Sequence, residues 1–133
     1  MPIHNRLFYL DTINRYFTAM DTFDVDGVMA CFASGGSLTC VSDGEVYSGE
    51  SLRQFFKDIT ENSNRMEHKP TNFVIDVEAG TCACELDYFD DMKDNRVYDM
   101  HNCNFFDFDA DGKFTRVRFW MGKQVSPIAS GVA

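Results

Sequence analysis

The second half of the sequence is dominated by four long segments with the composition of β-strands, separated by three short turns. Apolar and polar side chains alternate along these segments, and Gly, Asn and Asp mark the turns. Turns this short place consecutive strands side by side in antiparallel orientation. We therefore predict an antiparallel sheet with strands at residues 66–77, 81–90, 96–108 and 113–123.

The first half of the sequence has helical periodicity instead. Apolar residues recur at helical spacing between Tyr9 and Met20. They predict a first helix that starts at Leu7 or Asp11 and ends near Asp21. Its apolar stripe needs a large, flat surface to pack on, and the predicted sheet provides one.

Two shorter helices are predicted after the first. Asp24 or Asp26 can cap the second helix, and Ser-Gly-Gly at residues 34–36 ends it before an extended segment at residues 37–41. Ser48 can cap the third helix. The apolar positions of that helix follow the i, i+3, i+4, i+7 pattern and are Leu52, Phe55, Phe56 and Ile59. Three N-terminal helices and a later meander are typical of the α+β class, with helices packed on one face of a curved, mostly antiparallel sheet.

Length and composition limit the domain organisation and exclude several classes of protein. The 133 residues suffice for one domain, which we place at residues 1–123, with residues 124–133 as a flexible C-terminal tail. No apolar run approaches the roughly 20 residues of a membrane span, and the N-terminal segment lacks a secretory signal pattern. We expect a cytoplasmic protein that does not enter membranes. The formal net charge of −9 disfavours nucleic acid, because phosphate binding depends on Lys and Arg.

The sequence also argues against a disulfide framework and a metal site. The sequence has five cysteines, an odd number, and no Cys-x-x-Cys motif. We therefore expect reduced, buried thiols. Residues 107–112, DFDADG, imitate the start of a calcium loop. Position twelve of that loop would be Arg118, where calcium needs a bidentate Glu, and the run joins two strand-like segments. We predict a hairpin turn there, and neither a metal nor another cofactor.

Tyr16 and Asp21 are candidate site residues, because a phenol and a carboxylate near a buried helix end are polar groups that a small pocket needs. Five helical steps of about 100° leave their side chains roughly 140° apart. Both therefore face one cavity only if the helix unwinds near Asp21. The structural alternatives are a solvated carboxylate for Asp21 and core packing with a satisfied hydroxyl for Tyr16.

His68 lies near the start of the first long strand segment, and its orientation is ambiguous. Alternation backwards from Phe73 brings Thr71 and Lys69 to the apolar face. It leaves His68 on the opposite face unless Pro70 marks a bulge. A structural histidine is the alternative to a catalytic one.

Two amides lie on an otherwise apolar strand face. Asn102 and Asn104 share that face with Met100 and Phe106. Because buried amides need partners, they either satisfy loop backbone or point into a polar cavity.

A series of short motifs extends along nearly the whole domain, from about residue 7 to 122. They are RYFTAMD at residues 15–21, DVDG at 24–27, CFA at 31–33, YSG at 47–49, HKPTNFVIDV at 68–77, FDADGK at 108–113 and RVRFWM at 116–121. Together they resemble the SnoaL-like branch of the nuclear transport factor 2-like superfamily. The resemblance implies a cone-shaped barrel in which the three helices and a strongly curved sheet enclose a deep, mostly apolar pocket. It also implies a homodimer formed through the outer sheet face.

The resemblance gives expectations for individual residues. Tyr16 matches the first-helix tyrosine that ketosteroid isomerases of this superfamily use as an oxyanion donor. Tyr16, Asp21 and His68 together look like the tyrosine, aspartate and histidine of its dehydratase-like members. Cys40 stands where those isomerases carry their general-base aspartate, and Asn104 stands where they carry a second oxyanion acid. Because a thiol is a poor substitute for that base, steroid isomerisation in that form is not expected.

We therefore predict a cofactor-free enzyme that acts on a small apolar or polycyclic molecule by proton abstraction, followed by elimination, isomerisation or cyclisation. His68 is the predicted base, Asp21 its orienting carboxylate, and Tyr16 the hydrogen-bond donor to an oxyanion. The predicted substrate-binding residues are Phe17, Met20, Cys40, Phe55, Leu86, Tyr88, Asn102, Asn104, Phe106, Phe119 and Met121.

The alternative is a non-catalytic module that binds a ligand or assembles with a partner through the same fold. A cavity closed by Phe106, Phe119 and Met121 favours that module. An open cavity with His68 and Asp21 in contact favours the enzyme.

Overall fold

The computed structural model of the protein describes residues 3–123. The helices are α1 (Arg6–Asp21), α2 (Val25–Met29) and α3 (Gly49–Glu61). The strands are β1 (Phe32–Cys40), β2 (Glu45–Ser48), β3 (Ser63–Asp76), β4 (Thr81–Met92), β5 (Val97–Phe108) and β6 (Phe114–Trp120). The predicted C-terminal tail lies outside the described residues.

The six strands form one open sheet in the order β2-β1-β6-β5-β4-β3. Strands β3 to β6 form the predicted antiparallel meander, and β1 runs parallel to β6. Helix α1 packs on β3, and α3 packs on β1 and β2. The helices therefore cover one face of a mostly antiparallel, curved sheet, which confirms the predicted α+β class.

Helix α1 follows the predicted apolar stripe. Its N-cap is Asn5, whose Oδ1 accepts a hydrogen bond of 2.9 Å from the Phe8 backbone N–H. The residues of α1 that are buried against the sheet are Tyr9, Thr12, Ile13, Tyr16, Phe17, Ala19 and Met20. The ring of Tyr16 lies within a cage of aromatic rings, those of Phe17, Phe32, Phe56, Phe106 and Phe114.

Strand β1 begins earlier than predicted and includes the Ser-Gly-Gly run that was expected to end the second helix. Helix α2 ends before it, at Met29, and the pairing of β1 with β6 is irregular between Phe32 and Ser37. A Cβ at Gly36 would lie 2.6 Å from the carbonyl oxygen of Phe114. Glycine here allows the close approach of two backbones, so its role is in the sheet and not in a helix terminus.

Strand β2 was not predicted from the sequence. It is four residues long, pairs with β1 at one sheet edge and is mostly exposed, so it shows no apolar alternation. The predicted third helix starts directly after it, with the Ser48 backbone N–H donating to Ser51 Oγ at 3.0 Å.

The acidic run at residues 107–112 leads from the end of β5 into the predicted hairpin turn, which occupies residues 109–113 before β6. Asp109 Oδ1 accepts from the backbone N–H groups of Asp111 and Lys113, each at 2.9 Å. Gly112 has the left-handed φ of 78°, which glycine adopts without strain. The acidic run is thus explained by turn geometry.

Candidate active site

A cavity of about 610 Å³ lies between α1, α3 and the inner face of the sheet, within the size range of small-molecule sites. Its wall is largely apolar and aromatic. Of the eleven predicted substrate-binding residues, all but Phe106 line it. The prediction that Phe106 binds substrate is corrected. This residue is fully buried behind the cavity wall and packs on Tyr16, Phe17 and Phe114.

His68 lies on the cavity wall and is paired with Asp21. Its Nδ1 is 2.5 Å from Asp21 Oδ1, and its backbone N–H donates to Asp21 Oδ2 at 2.9 Å. The imidazole is only 5% exposed and the carboxylate 23%. Since Nδ1 is held by the carboxylate, Nε2 is the ring nitrogen available to a ligand.

Two aromatic rings hold the imidazole of His68 in place. Phe17 stacks on it with centroids 5.0 Å apart and ring planes 18° from parallel. Tyr88, its cross-strand partner on β4, lies at a centroid distance of 4.9 Å. The two neighbouring rings and the Asp21 carboxylate leave the imidazole little rotational freedom. A catalytic base needs such a fixed orientation.

The inward orientation of His68 results from a bulge in β3. Thr71 pairs with Glu85 and Val74 with Ala83, so β3 has one residue more than β4 in this interval. Asn72 within it has φ of 52°, in the left-handed region that Asn tolerates. A single extra residue exchanges the two faces of a strand. The bulge that turns His68 inward is therefore present, but it lies between Thr71 and Val74 and not at Pro70, which pairs regularly with Leu86.

Helix α1 does not unwind near Asp21, so Asp21 and Tyr16 do not face one cavity, but Asp21 still reaches His68. Helix α1 extends through Asp21, and the carboxylate contacts His68 from behind and does not line the cavity. Tyr16 does line it, although only 2% exposed. Burial raises the pKa of the Tyr16 phenol, so its hydroxyl keeps its proton and remains a hydrogen-bond donor.

The two inward amides have different surroundings. Asn102 Oδ1 accepts from the Gly122 backbone N–H at 2.9 Å, so this amide satisfies loop backbone. Asn104 Oδ1 is buried without a partner among the described residues. Both residues line the cavity, and each of the two predicted alternatives applies to one of them.

Cys40 lies on the cavity wall, where it contacts Asp43 Oδ2 at 3.4 Å. Burial raises the pKa of its thiol, which therefore keeps its proton at neutral pH.

Asp90 is a cavity residue that was not predicted. It is fully buried near the end of β4, and the Tyr88 hydroxyl donates to its Oδ2 at 2.5 Å. Burial raises the pKa of this carboxyl, against the opposing effect of the Tyr88 hydrogen bond. The alternation of β4 contained the signal, since Leu86 and Tyr88 face inward and Asp90 is the next residue of that face.

Exposed polar residues at the solvent side of the cavity were also not predicted. They belong to the polar face of α3 and to neighbouring turns, where no periodic pattern distinguishes them from ordinary surface. They are Asp43, Ser51, Gln54, Asp58, Asn62 and Arg96.

Within residues 3–123, no group of three or more His, Cys, Asp or Glu side chains is placed to hold a metal ion. None of the helices in this range is both long and apolar enough to cross a membrane.

The profile of the SnoaL-like domain family matches residues 13–117, so the chain belongs to this family. Among solved structures, a proposed aromatic ring hydroxylase from Novosphingobium aromaticivorans is 24% identical, with a TM-score of 0.75 over 96% of this chain and 93% of that one. A proposed polyketide cyclase from Xanthomonas campestris is 18% identical, with a TM-score of 0.79 over 97% and 100%. AusH from Aspergillus nidulans is 13% identical, with a TM-score of 0.80 over 95% and 91%. No curated protein sequence matches.

The family match and these similarities confirm the predicted family and fold. At such identities the structural similarity concerns the fold alone, and one fold supports many reactions. The side chains of the cavity, and not the fold, therefore distinguish among the possible functions.

Proposed function

We propose that the protein is an acid–base enzyme that removes a proton from a carbon next to a carbonyl group of a small, largely apolar molecule. The observation that carries this proposal is the buried Asp21–His68 pair on the wall of an apolar cavity. A histidine that only fills a core needs no carboxylate at 2.5 Å and no cavity beside it.

Asp21 gives His68 the properties of a base. Its carboxylate holds Nδ1–H, so the lone pair of the neutral ring is on Nε2. When Nε2 takes a proton, the imidazolium lies beside a negative charge that stabilises it. The second Asp21 oxygen binds the His68 backbone N–H and fixes the carboxylate relative to the ring.

Tyr16 is the proposed donor to the enolate oxygen that forms as the proton leaves. Its phenol is protonated, buried among aromatic rings and part of the wall. A hydrogen-bond donor in such a dry environment stabilises developing charge more strongly than water does. Asn104 provides a second polar group for a substrate carbonyl or hydroxyl, since it also lines the cavity.

The same features weigh against the non-catalytic module. Phe106 lies outside the wall, and Met121 is 38% exposed, so the three residues named as a closure do not fill the cavity. His68 and Asp21 are in contact. Both criteria support the enzyme.

A substrate-independent assay of proton abstraction tests this proposal. The probe is 2-tetralone, a bicyclic ketone, and the measurement is the loss of its α-proton NMR signals in D₂O. The parent is expected to accelerate exchange above the buffer rate, and His68→Ala to lose about 10²–10⁴-fold of that acceleration. The matched control is His101→Ala, since His101 is 46% exposed and paired with carboxylates outside the cavity. Equal exchange by His68→Ala and the parent, with both folded by circular dichroism, rejects the proposal.

We also propose that catalysis needs neither a metal nor an organic cofactor, because a base, its charge partner and an oxyanion donor are all side chains. Chelation of a tag-free preparation is expected to leave the exchange rate and Tm unchanged. Stoichiometric metal by elemental analysis, together with lower activity after chelation, would contradict this.

We further propose a homodimer formed through the outer sheet face. Phe105 and Trp120 pack there with centroids 5.4 Å apart, and both rings remain partly exposed. The Arg118 guanidinium lies 5.5 Å from each ring. Apolar and arginine side chains grouped on one open face are typical of protein interfaces.

A further inference from the structure

Asp90 lies at the cavity wall with an incomplete set of hydrogen bonds. It is fully buried, and its Oδ1 has no hydrogen-bond partner among the described protein atoms. Its other oxygen accepts the Tyr88 hydroxyl at 2.5 Å. The nearby Ser63 hydroxyl donates to the Ile59 carbonyl oxygen at 2.7 Å. An unpaired buried oxygen costs stability, so an acceptor left open at a cavity wall indicates a ligand that brings a donor.

The protein does not supply a cation to this carboxyl group. Among residues 3–123, no Lys, Arg or His side chain forms an ion pair with Asp90. Arg96 donates instead to Asp94 Oδ2 at 2.7 Å and to the Tyr98 hydroxyl at 3.0 Å. The next residue, Asp91, adds a second negative charge nearby. Because a buried carboxylate without a counter-charge is unfavourable, a cation on the ligand would stabilise it.

Helix α3 ends at this part of the cavity and adds to the negative potential. Ser63, which begins β3 after the helix, pairs with Met92, two residues beyond Asp90. The C-terminus of a helix carries a partial negative charge, and the last turn of α3 contains no basic residue. That turn carries Asp58, which lines the cavity and accepts from Gln54 Nε2 at 2.6 Å. The surroundings of Asp90 therefore favour a positively charged group.

The wall of the cavity suits an organic cation. Three of the described carboxylates line it, those of Asp43, Asp58 and Asp90. The charge of Arg96, which also lines the wall, is balanced by its ion pair with Asp94. Tyr88 is bonded to Asp90, and Tyr98 is the cross-strand partner of Asp90. Aromatic faces attract organic ammonium groups, whereas no set of three metal-ligating side chains is present among the described residues.

We propose that Asp90 binds an ammonium group of the substrate, which is therefore a basic amine on an apolar skeleton. This inference rests on the proposed function where it calls the amine a substrate, and it adds the feature by which that substrate is selected. An ammonium N–H donates to Asp90 Oδ1 and balances the buried charge beside the rings of Tyr88 and Tyr98. Burial raises the pKa of Asp90 in the free protein, so the bound ammonium brings this carboxyl group to its charged form.

The ammonium site is separate from the proposed base. Tyr88 is the cross-strand partner of His68, and Asp90 lies two residues further along β4, about 7 Å away along the strand. The amine and the reacting carbonyl group are therefore different parts of one molecule. A cavity of about 610 Å³ has room for both.

The test compares 2-aminotetralin with 2-tetralol, which share one skeleton and differ in an ammonium or a hydroxyl group. Dissociation constants are measured by isothermal titration calorimetry at neutral pH and physiological salt, where an aliphatic amine is protonated. The parent is expected to bind the amine about 10–100-fold more tightly than the alcohol. Asp90→Asn keeps the shape of the side chain and should lose this preference. The matched control is Asp91→Asn, which removes the same charge outside the cavity wall and should retain the preference.

These constants separate the failure of the two proposals, because binding requires no turnover. Equal affinity of the parent for amine and alcohol overturns the inference about Asp90. A preference that persists in Asp90→Asn, or that Asp91→Asn loses equally, also overturns it, because the attraction then comes from the general negative charge of the protein. Exchange of 2-tetralone that does not depend on His68 rejects the proposed base and leaves the amine preference unaffected.

A second measurement uses only the parent, so it does not depend on the folding of Asp90→Asn. In ¹⁵N-labelled protein, 2-aminotetralin is expected to shift the backbone amide signals of Asp90 and Tyr98 further than 2-tetralol does. Equal shifts with both ligands overturn the inference. Shifts that are largest at Asp43, on the turn between β1 and β2, also overturn it, because the ammonium then binds another carboxylate of the wall.

Discussion

The sheet carries two histidine–carboxylate clusters on opposite faces, and they differ in burial and in how they are assembled. On the inner face, His68 is 5% exposed and takes its single carboxylate, Asp21, from the end of a helix distant in sequence. On the outer face, His101 is 46% exposed and lies between Glu85 and Asp87 of the neighbouring strand, at 2.9 Å and 2.8 Å. In both clusters the imidazole is hydrogen-bonded to carboxylate, but the inner cluster is shielded from water and the outer one is exposed to it.

The difference indicates which cluster is structural. The His101 cluster needs only cross-strand register, and water screens its charges, so it forms at little cost and contributes little. The His68 cluster requires a bulge, a helix end and two flanking rings, and it removes polar groups from water. Fold stability does not require such an arrangement, whereas a positioned base does.

The largest expected difference between the clusters is the effect of their aspartates on proton abstraction by the enzyme. Asp21→Asn replaces the negative charge beside Nδ1 and is expected to slow 2-tetralone exchange about 10²–10⁴-fold, with a stability loss of at most about 1–2 kcal/mol. Asp87→Asn makes the same chemical change beside His101 and should leave exchange unaltered. Similar effects of the two substitutions would remove the distinction between the clusters.

A smaller effect is expected from the inner-face hydroxyl of Tyr16. Tyr16→Phe removes one oxyanion donor and keeps the ring within its aromatic cage, so exchange should fall by about 10²-fold while Tm changes little. Tyr98→Phe is the matched control, because Tyr98 also lines the cavity but its hydroxyl is engaged by Arg96. An unchanged rate in Tyr16→Phe would assign this residue to the core alone.

Sequence patterns predicted the fold because its elements have contrasting periods. Helix α3 repeats apolar residues at i, i+3, i+4 and i+7, and the later strands alternate, so each segment has one favourable burial pattern. Strand β2 and the early start of β1 could not be predicted in this way, since one is exposed and the other is rich in glycine.

The site was less predictable because its residues depend on contacts distant in sequence. The family resemblance suggested Tyr16, Asp21 and His68 as site residues. Strand alternation alone, however, predicted that His68 lies on the outer face of the sheet. The bulge at Asn72 depends on pairing with β4, which no local pattern encodes. Asp90 was not predicted, since an acidic residue near a strand end is ordinarily exposed and here it is fully buried.

On the outer face, the proposed dimer gives an effect of intermediate size. Light scattering of the parent at micromolar concentration should give about twice the monomer mass of 15.2 kDa. Phe105→Glu places a charge beside Trp120 and is expected to weaken association about 30-fold, the size of an interface hot spot. Val74→Glu is the control, since Val74 is 69% exposed on the edge strand β3, three places from β6 in the strand order of the sheet. A parent mass near 15.2 kDa at all concentrations contradicts the dimer.

The smallest expected effect is the pH dependence of stability from the His101 cluster. The hydrogen bond to Glu85, followed by that to Asp87, raises the pKa of His101, and the same contact with His101 lowers the pKa of Glu85. The stabilisation from His101 is therefore complete below its unfolded pKa of about 6.5 and is lost as pH rises through its higher folded value. The stabilisation from Glu85 is present above its unfolded pKa of about 4.3 and is lost as pH falls through its lower folded value. Urea unfolding of the parent and His101→Gln should differ most near pH 5.5 and converge in alkaline buffer, and 1 M salt should reduce the difference because these side chains are exposed. A difference that is constant from pH 5 to pH 9 would show that His101 stabilises the sheet by packing and not by charge.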